Sequence, residues 1–152
     1  MHYMNSKLKQ RPFHRDDFAA FQSWFADQLL QDTLGPLDEE WLNCVLSEDP
    51  PAQFSFFADN HLVAVAGISF PEIENPCFAI TDLAVHPDQR RSGIGAHVVQ
   101  LLQKHFRETF DSDIPWKAFV SLGNSAAQKF FTNLGWVKQP EIEDEMYCYV
   151  SP

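Results

Sequence analysis

The stretch Asp82-Leu83-Ala84-Val85-His86-Pro87-Asp88-Gln89-Arg90-Arg91-Ser92-Gly93-Ile94-Gly95-Ala96 limits the possible folds more than any other part of the chain. Residues 77–85 read as a β-strand; after Pro87 the period changes, and Ile94, Val98, Leu101, Leu102 and His105 or Phe106 fall on one helical face. A strand therefore feeds a glycine-rich turn and a long helix. Such a helix start presents backbone N–H groups at the positive end of the dipole, and two glycines let an anion approach them without a Cβ in the way. Arg90 and Arg91 add positive charge beside it. The third glycine of a dinucleotide fingerprint is missing, and no GK[ST] follows to make a P-loop. The plainer alternative is a glycine turn that merely starts a helix.

Around this segment the pattern predicts one mixed α/β domain over residues 1–152. Residues 7–13 read as a first strand. Asp16 is the expected N-cap of a helix that carries Phe18, Phe21, Phe25 and Leu29 on one face and ends near Gly35-Pro36. Residues 38–46 read as a second helix, with Asp38, Glu39 and Glu40 at the end where the dipole favours acid, and Pro50-Pro51 stops it. Residues 53–58 and 62–70 read as strands around an Asp59-Asn60-His61 turn. Further on, residues 116–122 supply a strand, residues 124–134 a helix closed by Gly135, and residues 146–150 a last strand. The expected architecture has an antiparallel first half followed by strand–helix–strand units.

Charge narrows the functions. The net charge is −10, and residues 16–89 hold fourteen Asp or Glu and no Lys or Arg. Residues 86–107 reverse this with four Lys or Arg against Asp88. An acidic chain is a poor partner for bare nucleic acid, whereas an acidic half suits a cationic substrate and a basic island suits an anion; a solvated acidic surface is the bland alternative. The longest uncharged apolar stretch, residues 62–68, falls far short of the roughly 20 residues that span a bilayer. The first residues carry no apolar signal-peptide core, so no membrane partner is expected. Cys44, Cys77 and Cys148 are odd in number and lack metal-ligand spacing, which suits a reducing cytoplasm and a site without metal.

Two blocks, V-x-P-x-x-R-x-S-G-I-G at residues 85–95 and L-G-N-S-A-A-Q-K-F-F-T-N-L-G-W at residues 122–136, resemble the GNAT superfamily of N-acetyltransferases. The first fits the family's [RQ]-x-x-G-x-[GA] acetyl-CoA motif and the second its N-x-x-A-x-x-F-Y-x-x-x-G-F. They occur in the family's order and at its separation, over about residues 80–137. The resemblance implies a single-domain fold whose central, mostly antiparallel sheet has splayed strands and flanking helices. It further implies that the backbone of Leu83, Ala84 and Val85 pairs with the pantetheine arm of acetyl-CoA. By the same token Arg90, Arg91, Ser92, Gly93, Ile94, Gly95 and Ala96 hold the pyrophosphate, and Asn124 faces the cofactor. Asn124 is equally well read as a helix cap.

Direct attack of an amine on a thioester needs a neutral nucleophile, proximity, a donor to the oxyanion and a proton for the thiolate. Asp82 is the candidate general base, resembling the acidic residue many relatives carry there, with Glu72 and Glu74 as alternatives. Where the family motif often has a proton-donating Tyr, this chain has Phe131, which cannot donate and is expected to pack. Tyr147 is the candidate proton donor, beside Tyr149; ordinary strand aromatics are the alternative for both. Cys148 lacks an activating base in the sequence, and His86 and His97 flank the turn without ligand spacing.

The preferred function is acetyl transfer from acetyl-CoA to a primary amine, with a cationic small molecule or a peptide amine as acceptor. A CoA-binding sensor or interaction module is the rival, and a longer-chain acyltransferase a third possibility. Trp24, Trp41 and Trp136 either line a homodimer contact or fill the core.

Overall fold

The computed structural model describes residues 7–34, 37–110 and 113–152. Among the described residues seven strands, β1 (Lys9–Pro12), β2 (Gln53–Ala58), β3 (His61–Ser69), β4 (Phe78–Val85), β5 (Trp116–Ser121), β6 (Val137–Glu143) and β7 (Met146–Val150), hydrogen-bond in the order β1-β2-β3-β4-β5-β7-β6. The chain forms two compact units: residues up to Gly67 with Asp82–Leu102, and Ile68–Thr81 with Gln103–Pro152.

In the first unit, β1 (Lys9–Pro12) pairs antiparallel with β2 (Gln53–Ala58), and β2 with β3 (His61–Ser69). Asp59 and Asn60 turn the β2–β3 hairpin with φ of 49° and 66°, the left-handed pair that matches strand twist. The register slips between Phe56 and Phe57, so Val63 is an extra residue on β3. Three helices follow β1: α1 (Phe18–Ser23), α2 (Gln28–Leu34) and α3 (Glu39–Ser47). Phe21, Leu30 and Leu42 from these helices, and Trp24 from the turn between the first two, are buried with Phe13, Val65 and Ala84.

The single helix expected from Asp16 is instead two helices, and Asp16 does not cap it. Single 3-10 turns at Arg15–Asp17 and Trp24–Ala26 precede α1 and α2, and Asp27 between them is extended, with φ −78° and ψ 125°. His14 is the cap residue of the first turn, and the Asp17 carboxylate accepts from its amide at 2.9 Å. The interruption is locally satisfied because Asp27 Oδ2 accepts from the Leu30 amide at 3.2 Å, which restarts the helix as α2. The expected stop at Gly35-Pro36 lies outside the described residues. The second helix follows expectation, with Asp38 Oδ1 accepting from the Trp41 amide at 2.9 Å.

Asp17 also ties the first unit together. Its buried carboxylate accepts from Nη1 and Nη2 of Arg11, at 2.7 and 2.8 Å, and from Ser55 Oγ at 2.8 Å.

In the second unit, the start of β4 (Phe78–Val85) pairs parallel with β5 (Trp116–Ser121) through Phe78, Ala79 and Ile80. Strand β7 (Met146–Val150) lies antiparallel between β5 and β6 (Val137–Glu143). The sequence pattern did not predict β6: only Val137 and Ile142 are apolar, and Pro140 interrupts it. As the last strand of the sheet it tolerates proline, because an edge strand need not donate every amide. The C-terminal part of α4 (Ile94–Phe110) places Phe106 against Phe78, which stacks on Trp116 at a centroid distance of 4.6 Å. The remaining helix, α5 (Ser125–Asn133), sets Phe131 against Trp136 and Tyr149. Trp24 and Trp136 are buried and Trp41 is half-buried against Phe13, so the tryptophans fill the two cores.

Candidate active site

Ten of the residues singled out for cofactor binding, Leu83–Val85 and Arg90–Ala96, lie in the first unit, as does Asp82. The chain leaves β4 at His86, whose amide donates to the carbonyl of Val63, the extra residue on β3, at 2.8 Å. His86 Nδ1 then accepts from the Asp88 amide at 3.1 Å and caps a 3-10 turn at Pro87–Gln89. Ser92 Oγ donates back to the Gln89 carbonyl. Arg91 and Gly93 take left-handed φ of 64° and 86°. The first α4 bond runs from the His97 amide to the Gly93 carbonyl at 3.1 Å, so the amides of Ile94, Gly95 and Ala96 precede the helical ladder.

This turn fits a diphosphate. A Cβ on Gly93 would meet nothing within 4 Å, so the backbone there faces open space, and Arg91 beside it is exposed. Ala84 and Ile94 on either side of the turn are each 1% exposed and anchor it in the core. Arg90 is differently engaged: its guanidinium forks onto Asp27, at 3.0 and 2.7 Å. Those hydrogen bonds hold the Asp27 carboxyl below the usual carboxylate range.

Asp82 is half-buried, and its Oδ2 accepts from Gln53 Nε2 at 2.8 Å. A second carboxylate, which sequence reasoning missed, belongs to the same electrostatic neighbourhood. Glu48, at the C-terminal end of α3, is pushed above the ordinary value, first by desolvation and then by the negative charge of Asp82. Nothing in the sequence spacing of Glu48 and Asp82 signals this; the fold of the first unit creates it. Two interacting carboxylates and an amide donor can attract a cation and take up a proton.

Asn124 and Tyr147 lie in the second unit. Asn124 Oδ1 accepts from the Ala127 amide at 3.1 Å, so it caps α5. Tyr147 is half-buried on β7, with Lys138 Nζ 3.8 Å from its ring centroid. Tyr149 is 2% exposed and Phe131 6%, both in the core of this unit. Burial raises the thiol pKa of Cys148, which disfavours the nucleophilic thiolate. Glu72 and Glu74 are exposed in the turn before β4. No group of metal-ligating side chains occurs among the described residues, and no described helix is long and apolar enough to cross a membrane.

The family model described as the acetyltransferase (GNAT) family matches residues 13–136. Among solved structures, an acetyltransferase from Thermus thermophilus is 18% identical with a TM-score of 0.77, over 100% of this chain and 99% of that one. The PaiA N-acetyltransferase from Thermoplasma acidophilum, in complex with coenzyme A, is 13% identical with a TM-score of 0.71, over 95% and 98%. The ribosomal-protein-S18-alanine N-acetyltransferase from Escherichia coli is 14% identical with a TM-score of 0.63, over 95% and 91%. At these identities the likeness is one of fold. No curated protein matches the chain.

Proposed function

The chain belongs to the GNAT acetyltransferase family, and on that premise we propose that it transfers the acetyl group of acetyl-CoA to a primary amine of a cationic acceptor. The observation that carries this is the β4–α4 turn, where left-handed Arg91 and Gly93 lead into the amides of Ile94, Gly95 and Ala96. These amides, with Arg91, would hold the pyrophosphate, and the backbone of Leu83–Val85 would take the pantetheine arm. When bound, the cofactor supplies the activated acetyl thioester. The Thermoplasma structure in complex with coenzyme A, on a similar fold, supports that choice of cofactor.

The acceptor follows from charge. Residues 16–89 carry no Lys or Arg, and the negative charge of Asp82 acts on Glu48. That field concentrates an ammonium ion but also stabilises its protonated form, so a base must take a proton before attack. Asp82 is our choice for that base, with Gln53 orienting it. Tyr147 is the phenol proposed for the thiolate proton, and Asn124 keeps a place beside the cofactor on the strength of its motif. Three free thiols, Cys44, Cys77 and Cys148, are compatible with a reducing compartment such as the cytoplasm.

The test is incubation with acetyl-CoA and a panel of polyamines, amino-acid derivatives and peptides, following release of free thiol. Turnover with cationic amines and none with neutral alcohols is expected. Coenzyme A binding without turnover on any amine would sink the catalytic claim. It would favour a CoA-binding module, a second reading that Phe131 supports, because this buried ring stands where the family motif often has a tyrosine.

A further inference from the structure

Arg90 occupies the joint of the β4–α4 turn. Its backbone is extended, at φ −65° and ψ 152°, between the Pro87–Gln89 turn and left-handed Arg91. Its side chain forks onto Asp27, and the two side chains are only 30% and 24% exposed, so solvent screens the pair less than it screens an open surface bridge. Asp27 is itself held fast. Its amide donates to the Trp24 carbonyl at 3.0 Å, its carbonyl accepts from the Gln31 amide at 3.3 Å, and its Oδ2 accepts from the Leu30 amide. One turn earlier, buried Trp24 meets the His86 ring at a centroid distance of 5.1 Å. Trp24 and Asp27 thus grip the β4–α4 turn at two points, His86 and Arg90.

For ligand binding taken alone, Asp27 is unfavourable. A carboxylate near a diphosphate site repels the ligand and neutralises an arginine that could have bound it. We propose that Asp27 is a positioning residue for the cofactor: acting through Arg90, it fixes the turn so that the amides after Arg91 point at the diphosphate. The junction of α1 and α2 is thereby built into cofactor affinity. The proposal rests on the acetyl-CoA assignment above, and it makes Arg90 a tether, with the direct contacts left to the backbone and to Arg91.

The sign of one measurement separates the two roles. Isothermal titration with coenzyme A is carried out on the wild type, Asp27→Asn, Arg90→Gln and the double variant, alongside thermal melting without ligand. Steady-state kinetics on an acceptor from the amine panel completes the set. If the pair positions the turn, each single change raises the Kd for coenzyme A by about tenfold, and the double variant is no worse than the weaker single. The loss appears in KM for acetyl-CoA, with kcat within about twofold. Asp27→Glu, which keeps the charge, recovers part of the affinity. Arg90→Lys, which keeps charge but not the fork, does not. Asp27→Asn binding as tightly as the wild type, or more tightly, overturns the proposal, because it means that Asp27 merely competes for Arg90. Multiplicative losses in the double variant overturn it too. A wild type that binds no coenzyme A defeats the cofactor assignment itself, an outcome distinct from either.

Discussion

Gln53 Nε2 donates a 2.8 Å hydrogen bond to Asp82 Oδ2, joining the first residue of β2 to the carboxylate of β4. Gln53 is 7% exposed, so its amide has little freedom to turn elsewhere, and it fixes the orientation of the carboxylate. If Asp82 is the base, Asp82→Asn lowers kcat by about 100-fold or more, the range for a lost general base, while the Kd for coenzyme A stays within about twofold. Gln53→Leu, which removes only the orienting donor, gives a smaller fall. Equal kcat for Asp82→Asn and wild type removes Asp82 from the mechanism.

The same substitution has a spectroscopic consequence. Glu48 is raised first by desolvation and second by the charge of Asp82. Asp82→Asn removes the second cause and leaves the first. In a carbon-13 NMR titration the Glu48 carboxyl moves down in pKa but stays above an ordinary glutamate. An unchanged titration means that the two carboxylates do not interact.

Gly93 and Gly123 separate backbone conformation from space. A Cβ at either meets nothing within 4 Å, but only Gly93 of the two has a left-handed φ, at 86°. Gly93→Ala costs about 1–2 kcal/mol of strain and weakens coenzyme A binding by distorting the turn. Gly123→Ala, at a φ outside the left-handed region, is stabilising by about 0.4–1 kcal/mol, because the unfolded chain loses freedom. Chemical denaturation of the two variants gives opposite signs if φ is the governing difference.

Most of the fold was legible from local chemistry. The acidic helix start at Asp38-Glu39-Glu40, the turn at Asp59-Asn60 and the change of period after Pro87 each act within a few residues, and each recurs in the structure. What was not legible depends on partners distant in sequence. Asp27 interrupts a good helical pattern where it meets Arg90, 63 residues away. Strand β6 has almost no apolar alternation and exists through its ladder with β7. In the site, the glycine turn announced itself, whereas Glu48 is tied to Asp82 only by the fold of the first unit.

Phe131 is a packing residue by its surroundings: 6% exposed, 5.0 Å from the Trp136 ring centroid and 6.0 Å from that of Tyr149. Phe131→Ala empties that site and destabilises the protein by about 3–5 kcal/mol, measured by urea unfolding. A cost below about 1 kcal/mol would mean the ring is not part of the core.

Burial alone would raise the Asp17 carboxyl, but hydrogen bonds from Arg11, the His14 amide and Ser55, with the charge of Arg11, more than offset it and hold the carboxyl below the ordinary aspartate value. A depressed folded-state pKa means that the unfolded chain binds the proton more readily. The carboxylate therefore contributes its full stability above the unfolded value of about 4, and that contribution is lost as pH falls through the lower folded value. Urea midpoints measured from pH 6 downward should decline below about pH 4 in the wild type. Asp17→Asn should be less stable than the wild type at pH 6 and lose less on acidification, because it has no proton to gain there. Arg11→Met is the sharper case: it leaves a buried carboxylate with its main partner gone, so the variant is destabilised most where Asp17 is ionised and recovers towards the wild type as pH falls. Parallel curves for wild type and both variants would show that the Arg11–Asp17 pair does not govern acid stability.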